Sequence, residues 1–167
     1  LDGVVSEAQF LLVWLIGRMG LPLKKAYNMP LHQVRVNDNG RLVIRPADVW
    51  VILPRDISAR LDALIEDAVP GWKTLQPYES SHLTFFNRHL PHVDRALRGV
   101  LAVNVRELRA SALHSAMMRG YVDRVTLHHT TGASLQYLTI LEGLMSVDMH
   151  RRLAADFVKK RNAHILG

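Results

Sequence analysis

Between His32 and Leu53 the chain leaves the helical spacing of apolar residues that governs it on both sides, and this change of period constrains the fold most. His32-Gln33-Val34-Arg35-Val36 alternates, Asn39-Gly40 marks a turn, and Arg41-Leu42-Val43-Ile44-Arg45 alternates again. An Asn-Gly pair between two alternating runs is a hairpin signal, because both residues tolerate the positive φ of a tight turn. Pro46-Ala47-Asp48 makes a second turn into Val49-Trp50-Val51-Ile52-Leu53, and Pro54 ends the run. The block therefore predicts one three-stranded antiparallel sheet.

Everything around it reads as helix or loop. Ser6 to Met19 has Ser6 as N-cap with Gln9 three residues on, a capping-box arrangement, followed by Phe10, Leu11, Trp14, Leu15 and Arg18 at helical spacing. Gly20-Leu21-Pro22 stops it, and a short basic helix is expected from Pro22 to Asn28. Asp56 to Val69 returns to helical spacing through Ile57, Leu61, Leu64 and Ile65. Pro70 to Pro91 is loop-rich. His92 to Val100, Val105 to Arg119, Val122 to Thr130, Ser134 to Leu144 and Val147 to Ala163 read as helices. The fold class is α+β, mostly α-helical. Trp14 and Trp50 are expected in the core, with Trp72 left in the loop-rich segment.

A chain of 167 residues can bury one real core, so residues 1–167 read as a single domain. Apolar residues at 49% and charged residues at 22% place it among soluble globular proteins. No apolar run spans a bilayer, since Phe10 to Ile16 is broken by Gly17-Arg18. The chain opens at Leu1 without methionine, which leaves room for an N-terminal DNA-binding domain or a signal ahead of it. The absence of cysteine excludes disulfides and thiolate metal sites and fits a reducing cytosol. Lys and Arg outnumber Asp and Glu by 21 to 15, a formal +6 that suits a polyanionic partner such as double-stranded DNA.

The stretch from Asn104 to Ser134, NVRELRASALHSAMMRGYVDRVTLHHTTGAS, carries the most specific spacing. A helix holds Arg109 within Leu-Arg-x-Ser, Gly120 turns the chain, a Val-Asp opens a second helix, and Thr-Gly-x-Ser ends it. This stretch resembles the core of the tyrosine recombinase (phage integrase) catalytic domain. The order of elements is similar along nearly the whole chain: a leading helix with Gly17-Arg18-Met19-Gly20-Leu21-Pro22-Leu23-Lys24-Lys25, a three-stranded sheet ending at Val51-Ile52-Leu53-Pro54, then helices.

The resemblance implies a chemistry in which two arginines and a histidine or tryptophan hold the scissile phosphate, a strand lysine protonates the leaving oxygen, and a tyrosine attacks. Most of those side chains are missing. The first arginine falls at Pro22, with Arg18, Lys24 and Lys25 on other helical faces. The second hairpin holds no lysine and offers only Arg45, which does not give up its proton at neutral pH. The histidine of His-x-x-Arg is Arg106, its arginine is kept as Arg109, and the histidine after the glycine is Ala133, with His128 and His129 a turn earlier. The tyrosine is due near Leu141 or Glu142; Tyr137 comes more than a helical turn early, so its hydroxyl is expected to point elsewhere.

Two readings of Arg109 follow: a residual phosphate clamp, or a structural arginine paired with Glu107 or Asp123. Arg106 and Arg109 fall at i and i+3 on one helix face, where together they could hold a phosphate. The basic candidates for DNA contact are Arg106, Arg109, Lys24, Lys25, Arg45, His128 and His129. Lys159 and Lys160 join them on the polar face of the terminal helix, whose apolar stripe is suited to docking on a neighbouring protomer or on its own core. No cofactor or metal site is expected: His89-x-x-His92 has Pro91 inside it, and the adjacent His128 and His129 face different directions on a helix.

The leading expectation is a DNA-binding, recombinase-like protein of a mobile element. It would lack strand cleavage and act with an active recombinase, or with copies of itself, in the cytoplasm near the nucleoid. The alternatives are an active but divergent recombinase using Tyr137, and a protein-interaction module without a DNA role.

Overall fold

The computed structural model describes residues 5–101, 104–119 and 122–144. Helix α1 spans Glu7–Gly17, and Ser6 caps it in a reciprocal box: Gln9 N–H donates to Ser6 Oγ at 3.2 Å while Ser6 N–H donates to Gln9 Oε1 at 2.8 Å. Its successive residues Leu11, Leu12, Leu15 and Ile16 are all buried, so α1 is the central helix of the main hydrophobic cluster. Gly20 reverses the chain at φ +75°, and α2 follows over Leu23–Tyr27.

Strands β1 (Val34–Val36), β2 (Leu42–Ile44) and β3 (Val51–Ile52) form an antiparallel sheet in the order β1-β2-β3. Val43 pairs with Arg35 on one side and Ile52 on the other. The first turn is built by Asn37, whose Oδ1 accepts from Asn39 N–H at 3.0 Å and Arg41 N–H at 2.9 Å.

Two details of the sheet differ from the sequence reading. Leu31–Gln33 forms a turn of 3-10 helix, because Leu31 N–H is drawn to the Leu83 carbonyl at 2.8 Å instead of into the ladder. The alternation expected in β2 is also absent, since Leu42, Val43 and Ile44 are all buried. As the central strand, β2 has covered faces on both sides, with Val43 flanked by the side chains of its cross-strand partners.

Helix α3 (Arg55–Ala68) buries Ile57, Leu61, Leu64 and Ile65, as its spacing predicts. The loop-rich segment contains two short helices, α4 (Pro77–Ser80) and α5 (Phe86–His89), and α6 follows at Val93–Arg98. Trp72 is buried in the main cluster, its indole N–H donating to Asp62 Oδ1 at 3.1 Å, and Trp14 packs against the same cluster. Trp14 and Trp50 are only half-buried. Trp50 instead lies under the guanidinium of Arg35, 3.8 Å from the ring centroid, with Arg45 at 5.2 Å.

Helix α7 (Val105–Met118) is capped by Asn104, α8 (Arg124–Thr131) is capped by Asp123, and α9 runs over 135–144. A second hydrophobic cluster gathers Leu113, Met117, Leu127, Ala133, Leu138 and Leu141. Helix α7 joins the two clusters: Val105 and Leu108 pack on the first, Leu113 and Met117 belong to the second. The terminal helix expected over Val147 to Ala163, with Lys159 and Lys160, lies outside the described residues. No described helix is long and apolar enough to cross a membrane.

Candidate functional site

Arg109 leaves α7 at the seam between the two clusters. Its Nε–H donates to the carbonyl oxygen of Gly20 at 2.9 Å, and its guanidinium carbon lies 5.5 Å from the centroid of the Tyr137 ring. The side chain is partly buried, and desolvation pulls its pKa below the ordinary arginine value, opposed by its interaction with Tyr137. Glu107 and Asp123, the carboxylates that sequence offered as partners, are used elsewhere. Glu107 closes the capping box at Asn104, and Asp123 accepts from Thr126 N–H at 2.9 Å. Among the described residues Arg109 makes no ion pair with a carboxylate.

Helix α2, which follows the turn at Gly20, carries Lys25. Gly132 ends α8 in the left-handed region at φ +74°, and a Cβ at that position would collide with Lys25 Nζ and lie 3.3 Å from its Cε. The ammonium of Lys25 thus rests against the C-terminus of α8, where the aligned peptide dipoles favour a cation. His128 and His129 occupy the same last turn. His128 Nδ1 lies 2.7 Å from the Ala133 carbonyl, and His129 Nδ1 lies 2.8 Å from Asp48 Oδ2.

The two adjacent histidines correct the sequence reading, which sent them in different directions. Their rings stand edge to face with centroids 5.1 Å apart, and both approach Asp48. The cause is tertiary. The β2–β3 loop docks on the helix end, with Asp48 N–H donating to the His129 carbonyl at 3.0 Å, so the carboxylate comes to both rings. The His129 hydrogen bond holds the Asp48 carboxyl below the usual carboxylate range.

Sequence reasoning treated Asp48 as a turn residue only. Nothing near it in the chain announces a partner 81 residues away.

Of the other candidates, Arg106 is exposed and makes no hydrogen bond or ion pair among the described residues, so it does not share the partly buried setting of Arg109. Lys24 is exposed beside Lys25. Arg45 is taken up by the Trp50 ring. The Tyr137 ring packs on the second cluster and lies beside the Arg109 guanidinium. Where the resemblance places a histidine and a tyrosine, Ala133 and Leu141 are buried in the core, and the exposed Glu142 pairs with Arg124 at 3.4 Å.

Arg109 stands between the Gly20 turn and Tyr137, while Lys25, Asp48, His128 and His129 gather at the end of α8. Arg109 is a donor held in place by Gly20, whereas the Lys25 ammonium is exposed and lies near the Asp48 carboxylate. Such a set can bind an oxyanion by charge-assisted hydrogen bonds. No protein-family profile matches the chain, no curated protein is similar to it, and no solved structure matches its fold.

Proposed function

We propose that the chain is a DNA-binding domain of tyrosine-recombinase type that grips the phosphate backbone without cutting it. In this reading it serves as a partner or regulator in DNA integration or recombination. The observation that carries the reading is the setting of Arg109: partly desolvated, aimed by Gly20, and free of any carboxylate among the described residues. A cation in that setting is costly unless an anion arrives to share it. Lys25 at the end of α8 supplies a second cation nearby in the fold. The buried Ala133 and Leu141 support the absence of cleavage, since neither position offers a general acid or a nucleophile.

The test is titration of a labelled duplex by fluorescence anisotropy at two ionic strengths. Binding that weakens steeply with salt supports the reading, because each neutralised phosphate releases counterions. No binding at about 50 mM salt overturns it.

One observation favours a second reading, an active divergent recombinase: the Tyr137 ring lies beside the Arg109 guanidinium. In that case Tyr137 forms a phosphotyrosyl bond while Arg109 stabilises the charge that develops. A nicked suicide substrate separates the two. A covalent adduct lost in Tyr137→Phe establishes the second reading, and no adduct leaves only the first.

A further inference from the structure

We propose that Asp48, His128 and His129 form a binding site for a divalent metal ion of the zinc class. Each of the three offers one ligand atom, and the three atoms lie within 4.8 Å of one another. They converge from the β2–β3 loop and the last turn of α8, an assembly held by the backbone bond from Asp48 N–H to the His129 carbonyl.

The hydrogen bonding prepares His128 as a ligand. A carbonyl oxygen only accepts, so His128 Nδ1, 2.7 Å from Ala133 O, carries the proton and Nε2 keeps its lone pair. A backbone carbonyl behind the ligating imidazole is the usual device that fixes its tautomer and ring plane. His129 Nδ1, 2.8 Å from Asp48 Oδ2, donates its proton to that carboxylate, and an ion bound between them takes the proton's place. Zinc–ligand bonds of about 2.0–2.1 Å put neighbouring donors roughly 3.3 Å apart in a tetrahedron. The present spread closes to that by side-chain rotation at the exposed Asp48 and His129.

Two imidazoles and one carboxylate select zinc, cobalt or nickel over magnesium or calcium, which demand oxygen donors. Three protein ligands leave a fourth position for water or a ligand oxygen. The C-terminal end of α8 contributes a favourable partial charge. Lys25, close enough to act on Asp48, opposes the ion, so an affinity in the micromolar range is expected.

The experiment is calorimetric titration of zinc into chelator-treated protein, with cobalt absorption as a second readout and no DNA present. It therefore stands or falls independently of DNA binding. One equivalent is expected to bind, with affinity reduced at least about tenfold in both Asp48→Asn and His128→Ala. His89→Ala, which lies outside the cluster, is expected to leave binding unchanged, and magnesium is expected not to compete. Circular dichroism of each variant separates lost ligation from lost folding, and the cobalt spectrum of the unaltered protein reports imidazole coordination whether or not a variant folds. No zinc binding overturns the proposal, as does binding that His89→Ala weakens as much as His128→Ala.

Discussion

The Lys25 ammonium fills the space that a side chain at Gly132 would need, so the end of α8 and the start of α2 are fitted to each other through a missing Cβ. Gly132 is also left-handed at φ +74°. Gly132→Ala therefore carries backbone strain of about 1–2 kcal/mol, and the exposed Lys25 end swings aside at a smaller cost. Chemical denaturation of Gly132→Ala, Lys25→Ala and the double variant separates them. The double variant is expected to recover the steric part and keep the strain.

Gly20 is held more tightly. A Cβ there would lie 2.6 Å from Leu113 Cδ2 and 2.9 Å from its Cγ, at φ +75°. Leu113 is buried and cannot swing aside cheaply. Gly20→Ala is expected to cost about 2–4 kcal/mol, more than Gly132→Ala, since left-handed strain adds to overpacking. It also shifts the carbonyl that aims Arg109, so on the proposed DNA-binding reading duplex affinity is expected to fall alongside the denaturation midpoint.

On the proposed DNA-binding reading, Arg109→Ala is expected to weaken duplex binding by about tenfold at low salt and to lower the slope of log affinity against log salt by about one. Arg109→Lys is expected not to restore it. An ammonium cannot both donate to Gly20 O through a planar Nε–H and face an anion with the remaining donors. Anisotropy across a salt series measures both.

Asp48 gives a pH dependence with a definite sign. Its folded pKa is lowered below 3.8, first by the hydrogen bond to His129. A depressed carboxylate contributes stability that is fully present above its unfolded pKa and lost as pH falls through the folded value. The acid limb of the unfolding curve below about pH 4 is therefore expected to flatten in Asp48→Asn. Thermal melts between neutral pH and the acid limb test it.

Asn104 caps α7 in a reciprocal box with Glu107, its Oδ1 accepting from Glu107 N–H at 2.9 Å. Asn104→Ala is expected to lower stability by about 1 kcal/mol. Because α7 carries Arg109, fraying of its first turn is also expected to weaken DNA binding slightly. Urea denaturation reads the first effect.

What the sequence determined is the local grammar. The capping box at Ser6, the Asn39-Gly40 turn, the three strands and the face of α3 all depend on residues a few positions apart, so periodicity and capping chemistry reveal them. It also identified Arg109 and Lys25 as candidate cations. The tertiary structure decided who their neighbours are. The partner of Arg109 is a carbonyl 89 residues away and that of His129 is a carboxylate 81 residues away. Trp72 is buried, and Tyr137 faces Arg109, for the same reason. A short-range pattern fixes which way a side chain leaves its own helix. Only the packing of two hydrophobic clusters about α7 fixes what stands in front of it.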